Sequence, residues 1–254
     1  MPAPDLGGAG ILVTRPAHQA AAMIAAVEAA GGRPLVFPTL EIAPCADPAP
    51  VFGRLKERWD WFIFVSVNAV THGLALLRQS EISTDTLNIA AVGKATAAAL
   101  ADAGIRAHTP PRNFNSEGLL ALPELRAVSG QRILIFRGDE GREWLRTALI
   151  ERGATVEYAE CYRRRCPQAD PQPVIDACTK GVLHVVSSTS NQGLMNLLTL
   201  VADPGCVPKL PVLVVGERQA DAAERMGWQG NILVAPDPHP ATLVAALISQ
   251  RDNW

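Results

Sequence analysis

Ile11-Leu12-Val13-Thr14-Arg15-Pro16 and Ile133-Leu134-Ile135-Phe136-Arg137-Gly138 are one phrase written twice: an apolar run ending in arginine, at an offset of 122 (137 − 15). The chain around them stays in step. The glycine behind the following segment, in Ala29-Ala30-Gly31 and Glu151-Arg152-Gly153, keeps the same 122 (153 − 31). A second apolar run ends in serine, Phe62-Ile63-Phe64-Val65-Ser66 and Leu183-His184-Val185-Val186-Ser187 (187 − 66 = 121). A third ends in glycine, Ala90-Ala91-Val92-Gly93 and Leu213-Val214-Val215-Gly216 (216 − 93 = 123), and each has another glycine eleven residues on, Gly104 and Gly227. A period this long means two domains, because solenoid repeats run at roughly 20 to 50 residues.

Short apolar runs rich in Val, Ile and Phe, without strict alternation, read as strands buried on both faces. The segments behind them are helical in composition. His18 to Ala30 is mostly alanine, with Met23, Ile24 and Val27 at helical spacing and a glycine behind as a natural C-cap. Strand alternating with helix predicts an α/β fold of doubly wound parallel sheets, twice over.

The 254 residues, 48% hydrophobic and 19% charged, supply two cores of ordinary domain size. A net charge of −2 gives no electrostatic reason to expect nucleic acid. No apolar stretch approaches the roughly 20 residues that cross a bilayer. Met1 to Gly10 has neither the basic region nor the apolar core of a signal peptide, which points to the cytoplasm. The cysteines, Cys45, Cys161, Cys166, Cys178 and Cys206, are odd in number and form no C-x-x-C pair, and no histidine completes a zinc spacing. Reduced, structural thiols and no metal are the expectation.

Cofactor motifs are likewise missing. Gly7-Gly8-Ala9-Gly10 precedes the first strand, whereas a dinucleotide fingerprint follows it and opens the helix. Gly93-Lys94-Ala95-Thr96 resembles the end of a phosphate loop, but Asn88 stands where that motif needs glycine. No serine lies in a G-x-S-x-G. An enzyme built on this chain is expected to work without a nucleotide, a metal or an acyl-serine.

Open parallel sheets place ligands at the carboxyl ends of their strands. There the chain carries Thr14, Ser66 with Asn68, Gly93 with Thr96, Ser187, Ser188, Thr189 and Gly216. Such tips turn backbone N–H groups and helix N-termini toward a cleft, which suits anions. Ser, Thr and Asn are also ordinary helix N-caps, so each has a plain structural alternative. Arg15 and Arg137 stand at equivalent tips and suit carboxylates; their alternative is to cap or to pair with a neighbouring acid. The nineteen Arg against four Lys carry little weight in so alanine-rich a chain.

Each copy then has an extended connector, Pro34-Leu35-Val36-Phe37-Pro38-Thr39-Leu40-Glu41 and Thr155-Val156-Glu157-Tyr158-Ala159-Glu160-Cys161-Tyr162-Arg163. At one offset Tyr162 replaces Leu40 (162 − 40 = 122), so the copies differ there by a phenol. The two connectors are placed to pair as a hinge, with Arg163-Arg164-Arg165 solvated or clamping a carboxylate.

Several stretches together resemble the uroporphyrinogen-III synthase family: Leu12-Val13-Thr14-Arg15-Pro16, Phe64-Val65-Ser66-Val67-Asn68-Ala69-Val70, Ala91-Val92-Gly93-Lys94-Ala95-Thr96-Ala97, and Leu134 through Arg142. The likeness continues through Tyr158-Ala159-Glu160-Cys161-Tyr162-Arg163-Arg164, Val186-Ser187-Ser188 and Val215-Gly216-Glu217-Arg218, nearly the whole chain in order. The resemblance implies two flavodoxin-like domains joined by a two-stranded β-ladder: residues 1–35 with 167–254, residues 45–155, and linkers at 36–44 and 156–166. It implies closure of hydroxymethylbilane to uroporphyrinogen III, with ring D inverted and water lost. Tyr162 becomes the candidate general acid, with half-buried packing as its alternative. The substrate-binding candidates are Thr14, Arg15, Ser66, Asn68, Gly93, Lys94, Thr96, Arg137, Gly138, Ser187, Ser188, Gly216 and Arg218. One position departs from the pattern, since Gln219 stands where the middle copy has Thr96 (219 − 96 = 123). The implied partners are a polycarboxylate tetrapyrrole and, in transient handover, hydroxymethylbilane synthase. A hinge-closing small-molecule binder without turnover shares the repeat and the cleft, and a nucleotide-dependent regulator shares the fold but lacks its phosphate loops.

Overall fold

A computed structural model of the chain describes residues 5–84, 87–202 and 205–254. Its strands are β1 (Gly10–Val13), β2 (Arg33–Val36), β3 (Glu41–Pro44), β4 (Trp61–Phe64), β5 (Asn88–Ala91), β6 (Arg132–Gly138), β7 (Thr155–Arg165), β8 (Val185–Ser187), β9 (Val212–Val215) and β10 (Ile232–Ala235). Its helices are α1 (Ala17–Ala29), α2 (Ala49–Leu55), α3 (Val67–Gln79), α4 (Lys94–Asp102), α5 (Ser116–Leu120), α6 (Trp144–Glu151), α7 (Gln172–Thr179), α8 (Asn191–Val201), α9 (Glu217–Arg225) and α10 (Pro240–Ser249). The chain divides into two compact units, residues 1–41 with 165–254 and residues 42–164.

The first unit has one sheet in the order β10-β9-β8-β1-β2, every pairing parallel. Counted along this unit's own strands the order is 2-1-3-4-5, the flavodoxin-like winding. The second sheet runs β3-β7-β6-β4-β5, with β7-β6-β4-β5 parallel. Matched by the repeat, β6, β7, β4 and β5 are the counterparts of β1, β2, β8 and β9. The winding is therefore the same, entered at a different point of the chain. The counterpart of β10 has shrunk to one bridge, His108 to Ala90. On the opposite edge the unit has gained β3 beside β7, with Cys45 N–H donating to Cys161 O at 3.2 Å.

The unbroken apolar runs follow from cores on both sheet faces. Ile11 and Val13 pack with Met23 of α1 and Leu247 of α10, while Leu12 between them packs with Leu194 and Leu197 of α8. In the second unit Phe62 and Phe64 face α3 with Phe136, and Trp61 and Ile63 face Leu145 and Leu149 of α6. A period of two with both faces buried makes every residue apolar. Phe64 and Phe136 stack with ring centroids 4.6 Å apart across β4 and β6.

One expectation is corrected here. Cys178, at the end of α7, and Cys206 are disulfide-bonded, with Cα atoms 6.1 Å apart, a span that suits such a bridge. Only Cys45, Cys161 and Cys166 are free. No helix among the described residues is long and apolar enough to cross a membrane.

Candidate active site

In the second unit the tips of β4, β5, β6 and β7 surround a pocket of about 230 Å³, whose wall includes Ser66, Val92, Ser116, Arg137, Gly138, Arg142, Tyr162 and Arg164. Four of the expected residues thus meet in one place. Ser66 is the N-cap of α3: its Oγ accepts from Ala69 N–H at 3.1 Å and lies 3.2 Å from the Tyr162 hydroxyl. Gly138, next to Tyr162 in the sheet register, is what makes room. A Cβ at residue 138 would stand 2.8 Å from the Tyr162 ring. Arg164 reaches the same phenol oxygen at 3.4 Å and places its guanidinium carbon 5.6 Å from the ring centroid.

Tyr162, expected as a general acid on the hinge with half-buried packing as its alternative, is buried more deeply than either reading implied. It is 2% exposed and belongs to the core under α3, among Phe64, Phe136 and Cys161. Strand β7 carries it into the sheet, and the missing side chain of Gly138 accommodates the ring. Its hydroxyl, beside Ser66 and Arg164, is the polar end at the pocket.

Arg137 is 5% exposed, lines the pocket and is held by three contacts. Its Nη1 donates to Glu143 Oε1 at 2.8 Å, its Nε donates to Gly138 O at 3.1 Å, and its guanidinium lies 4.2 Å from the ring centroid of Tyr158. The Tyr158 hydroxyl donates to the other carboxylate oxygen, Glu143 Oε2, at 2.9 Å. Burial, seconded by that bond to Glu143, pushes the Tyr158 phenol up to about 12. The bonds from Arg137 and Tyr158 hold the Glu143 carboxyl below its ordinary value. Tyr158 and Glu143 were not among the sequence candidates. The alternation of β7 and the Arg137–Glu143 spacing of six residues were the only signals, and both are weak.

Asn68, Gly93, Lys94 and Thr96 do not line this pocket. Gly93 is the N-cap of α4, Lys94 is exposed, and Thr96 is buried in that helix. A larger hollow of about 520 Å³ lies along β7 between Cys45, Asp47, Arg54, Glu157, Glu160 and Arg163. Its charges are mixed, and Arg54 already pairs with Glu157 at 2.9 Å. It is less suited to an anion than the pocket at the strand tips.

In the first unit the tips of β1, β8 and β9 are cross-tied. Thr14 Oγ1 donates to Ser187 O at 2.8 Å, and Thr39 N–H donates to Thr14 O at 3.1 Å. Ser188, buried, donates to Ser190 O at 3.2 Å, and Ser190 is the residue that caps α8. Gly216 begins α9 at φ +69°, a conformation that glycine adopts without strain. Arg218 is exposed and, with Thr189, Ser190 and Gln219, lines a pocket of about 330 Å³. Gln219 is spent on the scaffold: its Oε1 accepts from Val215 N–H at 2.9 Å and its Nε2 donates to Ser188 O at 3.3 Å. Arg15 donates from Nη2 to Pro238 O, while its buried Nε has no partner among the described residues. Burial lowers its pKa.

The family model described as "Uroporphyrinogen-III synthase HemD" matches residues 21–245. The uroporphyrinogen-III synthase of Salmonella typhimurium is 33% identical over 245 residues, covering 93% of this chain and 99% of that protein. That of Synechococcus elongatus is 35% identical, covering 77% and 75%. Among solved structures, the Helicobacter pylori uroporphyrinogen-III synthetase matches with TM-score 0.61 at 14% identity, over 96% of this chain and 100% of that one. A mutant uroporphyrinogen III synthase from Thermus thermophilus matches with 0.58 at 19% identity, over 97% and 98%. The structural likeness bears on fold and the sequence likeness on descent, and together with the matched length they place the chain in the uroporphyrinogen-III synthase family.

Proposed function

We propose that the protein is the cyclising lyase of its family, closing hydroxymethylbilane to uroporphyrinogen III with inversion of ring D and loss of water. The observation that carries this reading is the convergence of Ser66, Arg137, Gly138 and Tyr162 on one pocket in a chain of this family. Departure of the hydroxymethyl oxygen as water requires a proton and leaves an azafulvenium, stabilised by the electron-rich pyrrole itself. Tyr162, with its hydroxyl between Ser66 and Arg164, is the candidate donor. The Arg164 guanidinium stands where charge would develop on the phenol oxygen.

The harder requirement is orientation, because closure without inversion competes in water. Arg137, Arg142 and Arg164 on the pocket wall offer positive charge to substrate carboxylates. Holding the reacting ends in one geometry is an effect large enough to dominate the barrier. In the first unit the corresponding anion-binding candidates are Arg15, Arg218 and the backbone that opens α9 after Gly216. Thr14, Ser187 and Ser188 contribute by shaping the tips, and Asn68, Gly93, Lys94 and Thr96 contribute at most through the ends of α3 and α4. A cytoplasmic setting, with the labile substrate handed over by hydroxymethylbilane synthase, belongs to the same reading.

The test is turnover. Protein treated with chelator and given freshly made hydroxymethylbilane, with no nucleotide, is expected to yield mainly the type III porphyrin after oxidation and isomer separation. Type I alone, the spontaneous product, would refute the proposal, and loss of activity on chelation would refute its metal-free form.

A further inference from the structure

Arg15 and Arg137 end the same apolar run of the repeat, yet the structure gives a carboxylate to only one of them. Arg137 is paired with Glu143. At the equivalent offset the first unit has Ala21 (143 − 122), and Arg15 has no ion pair and a bare Nε among the described residues. The same strand tip is thus built with and without a carboxylate on its arginine. The pairing is not a condition for forming the tip.

The seat occupied by Glu143 has the donors that a carboxylate needs. Arg137 Nη1 is aimed at one oxygen and the Tyr158 hydroxyl at the other, at 2.8 and 2.9 Å. The two donors are parts of strands β6 and β7, whereas Glu143 hangs from the loop before α6 with its side chain 59% exposed. Gly141 lets that loop lie against the guanidinium, since a Cβ there would stand 2.8 Å from Arg137 Nη2. The fixed part of the seat is the guanidinium and the phenol. The carboxylate is its replaceable part.

We propose that Glu143 is an internal stand-in for a ligand carboxylate, and that a substrate carboxylate displaces it to take both the Arg137 and the Tyr158 bonds. Glu143 is then a specificity-determining residue. A ligand with one carboxylate must compete against a tethered one, while a ligand anchored by several others displaces it readily. This inference rests on the reading of the pocket as a site for a polycarboxylate tetrapyrrole.

The test uses the full chain and uroporphyrin III, a stable octacarboxylate, with binding followed by fluorescence quenching. Glu143→Gln keeps the shape and removes the competing charge. Because a site open only part of the time binds more weakly by that fraction, and a pair with an exposed partner is modest, the variant is expected to bind about three- to tenfold more tightly. KM for hydroxymethylbilane should fall by a similar factor, with a smaller change in kcat. Adding Tyr158→Phe to Glu143→Gln should take back part of the gain, and adding Arg137→Ala should abolish it. Unchanged or weaker binding by Glu143→Gln, with a lowered melting temperature, would make Glu143 a brace and overturn the proposal. Absence of uroporphyrin binding in every variant would overturn it too. Failure of the parent reading shows separately, as type I product from the unmodified protein, whatever the order of uroporphyrin affinities.

Discussion

Tyr162→Phe removes one oxygen and leaves the buried ring where it is. The structure separates what that oxygen does for stability from the catalytic role proposed for it. The ring keeps its place under α3 and against Gly138, so no cavity opens. What is lost is the contact with Ser66 at 3.2 Å and the longer one with Arg164 at 3.4 Å. Ser66 retains its bond from Ala69 N–H. One hydrogen bond of this kind is worth about 0.5–1.5 kcal/mol. For a chain of this size that is a fall of about 1–6 °C in melting temperature. Loss of a general acid lowers kcat by about a hundredfold to ten-thousandfold. Differential scanning fluorimetry and a single-turnover isomer assay on the same preparation give both numbers. Full activity with the expected thermal shift would leave Tyr162 as packing and assign catalysis to orientation. Tyr162→Ala is the less informative variant, because emptying the ring's site costs about 3–5 kcal/mol by itself.

Gln219→Ala strands a part-buried N–H on Val215 and a buried carbonyl on Ser188; urea denaturation should show a loss of about 1–3 kcal/mol, and a loss under about 0.5 kcal/mol would contradict the scaffold role of Gln219. The chain has two tyrosines, and Tyr158 is pushed up to about 12. Ultraviolet titration should show the Tyr158 phenol ionising late, and Tyr158→Phe should remove that step. Because its folded value lies above the unfolded value of roughly 10, the neutral phenol's contribution is intact below pH 10 and is lost between about 10 and 12. Glu143 has the opposite sign: its folded value is depressed, so its contribution is present above the unfolded value of roughly 4.3 and fades as pH falls through the folded one. Glu143→Gln should flatten that acid limb in a stability profile. Burial pushes the Cys161 thiol up to about 12, so iodoacetamide should label Cys45 and Cys166 in the folded protein well before Cys161, and early labelling of Cys161 would mean an open core.

The doubly wound sheets were legible because strands buried on both faces leave no polar position, as in Trp61-Phe62-Ile63-Phe64, and because the landmarks repeat. The counterpart of β10 in the second unit was not, since Arg106-Ala107-His108-Thr109 has no apolar run and survives as one bridge. Ser66, Arg137, Gly138 and Tyr162 were found by position, but their meeting depends on register, with Gly138 placed beside Tyr162 across two strands. Burial of the Tyr162 ring could not be read from β7 alone, because the space for it is made by a residue 24 positions earlier (162 − 138). Glu143 and Tyr158 escaped notice because their meeting with Arg137 is made by the β6–β7 register and the loop before α6, which no local sequence pattern signals. The Cys178–Cys206 bridge, 28 residues apart, carries no spacing signature.

The first sheet's order also sets a schedule for synthesis. Strand β1 lies between β2, which follows it closely, and β8, which is not made until 149 residues after β2 ends (185 − 36). At about 5–20 residues per second, β1 leaves the ribosome with one flank unpaired for about 7–30 s. Meanwhile every strand of the second sheet is completed. A chain stopped at residue 165 holds that whole sheet and two of the five strands of the other. The unit built from two separated segments is therefore the last to close, and during that interval the apolar edge of β1 is open to chaperones, to proteases and to the same strand of a neighbouring nascent chain.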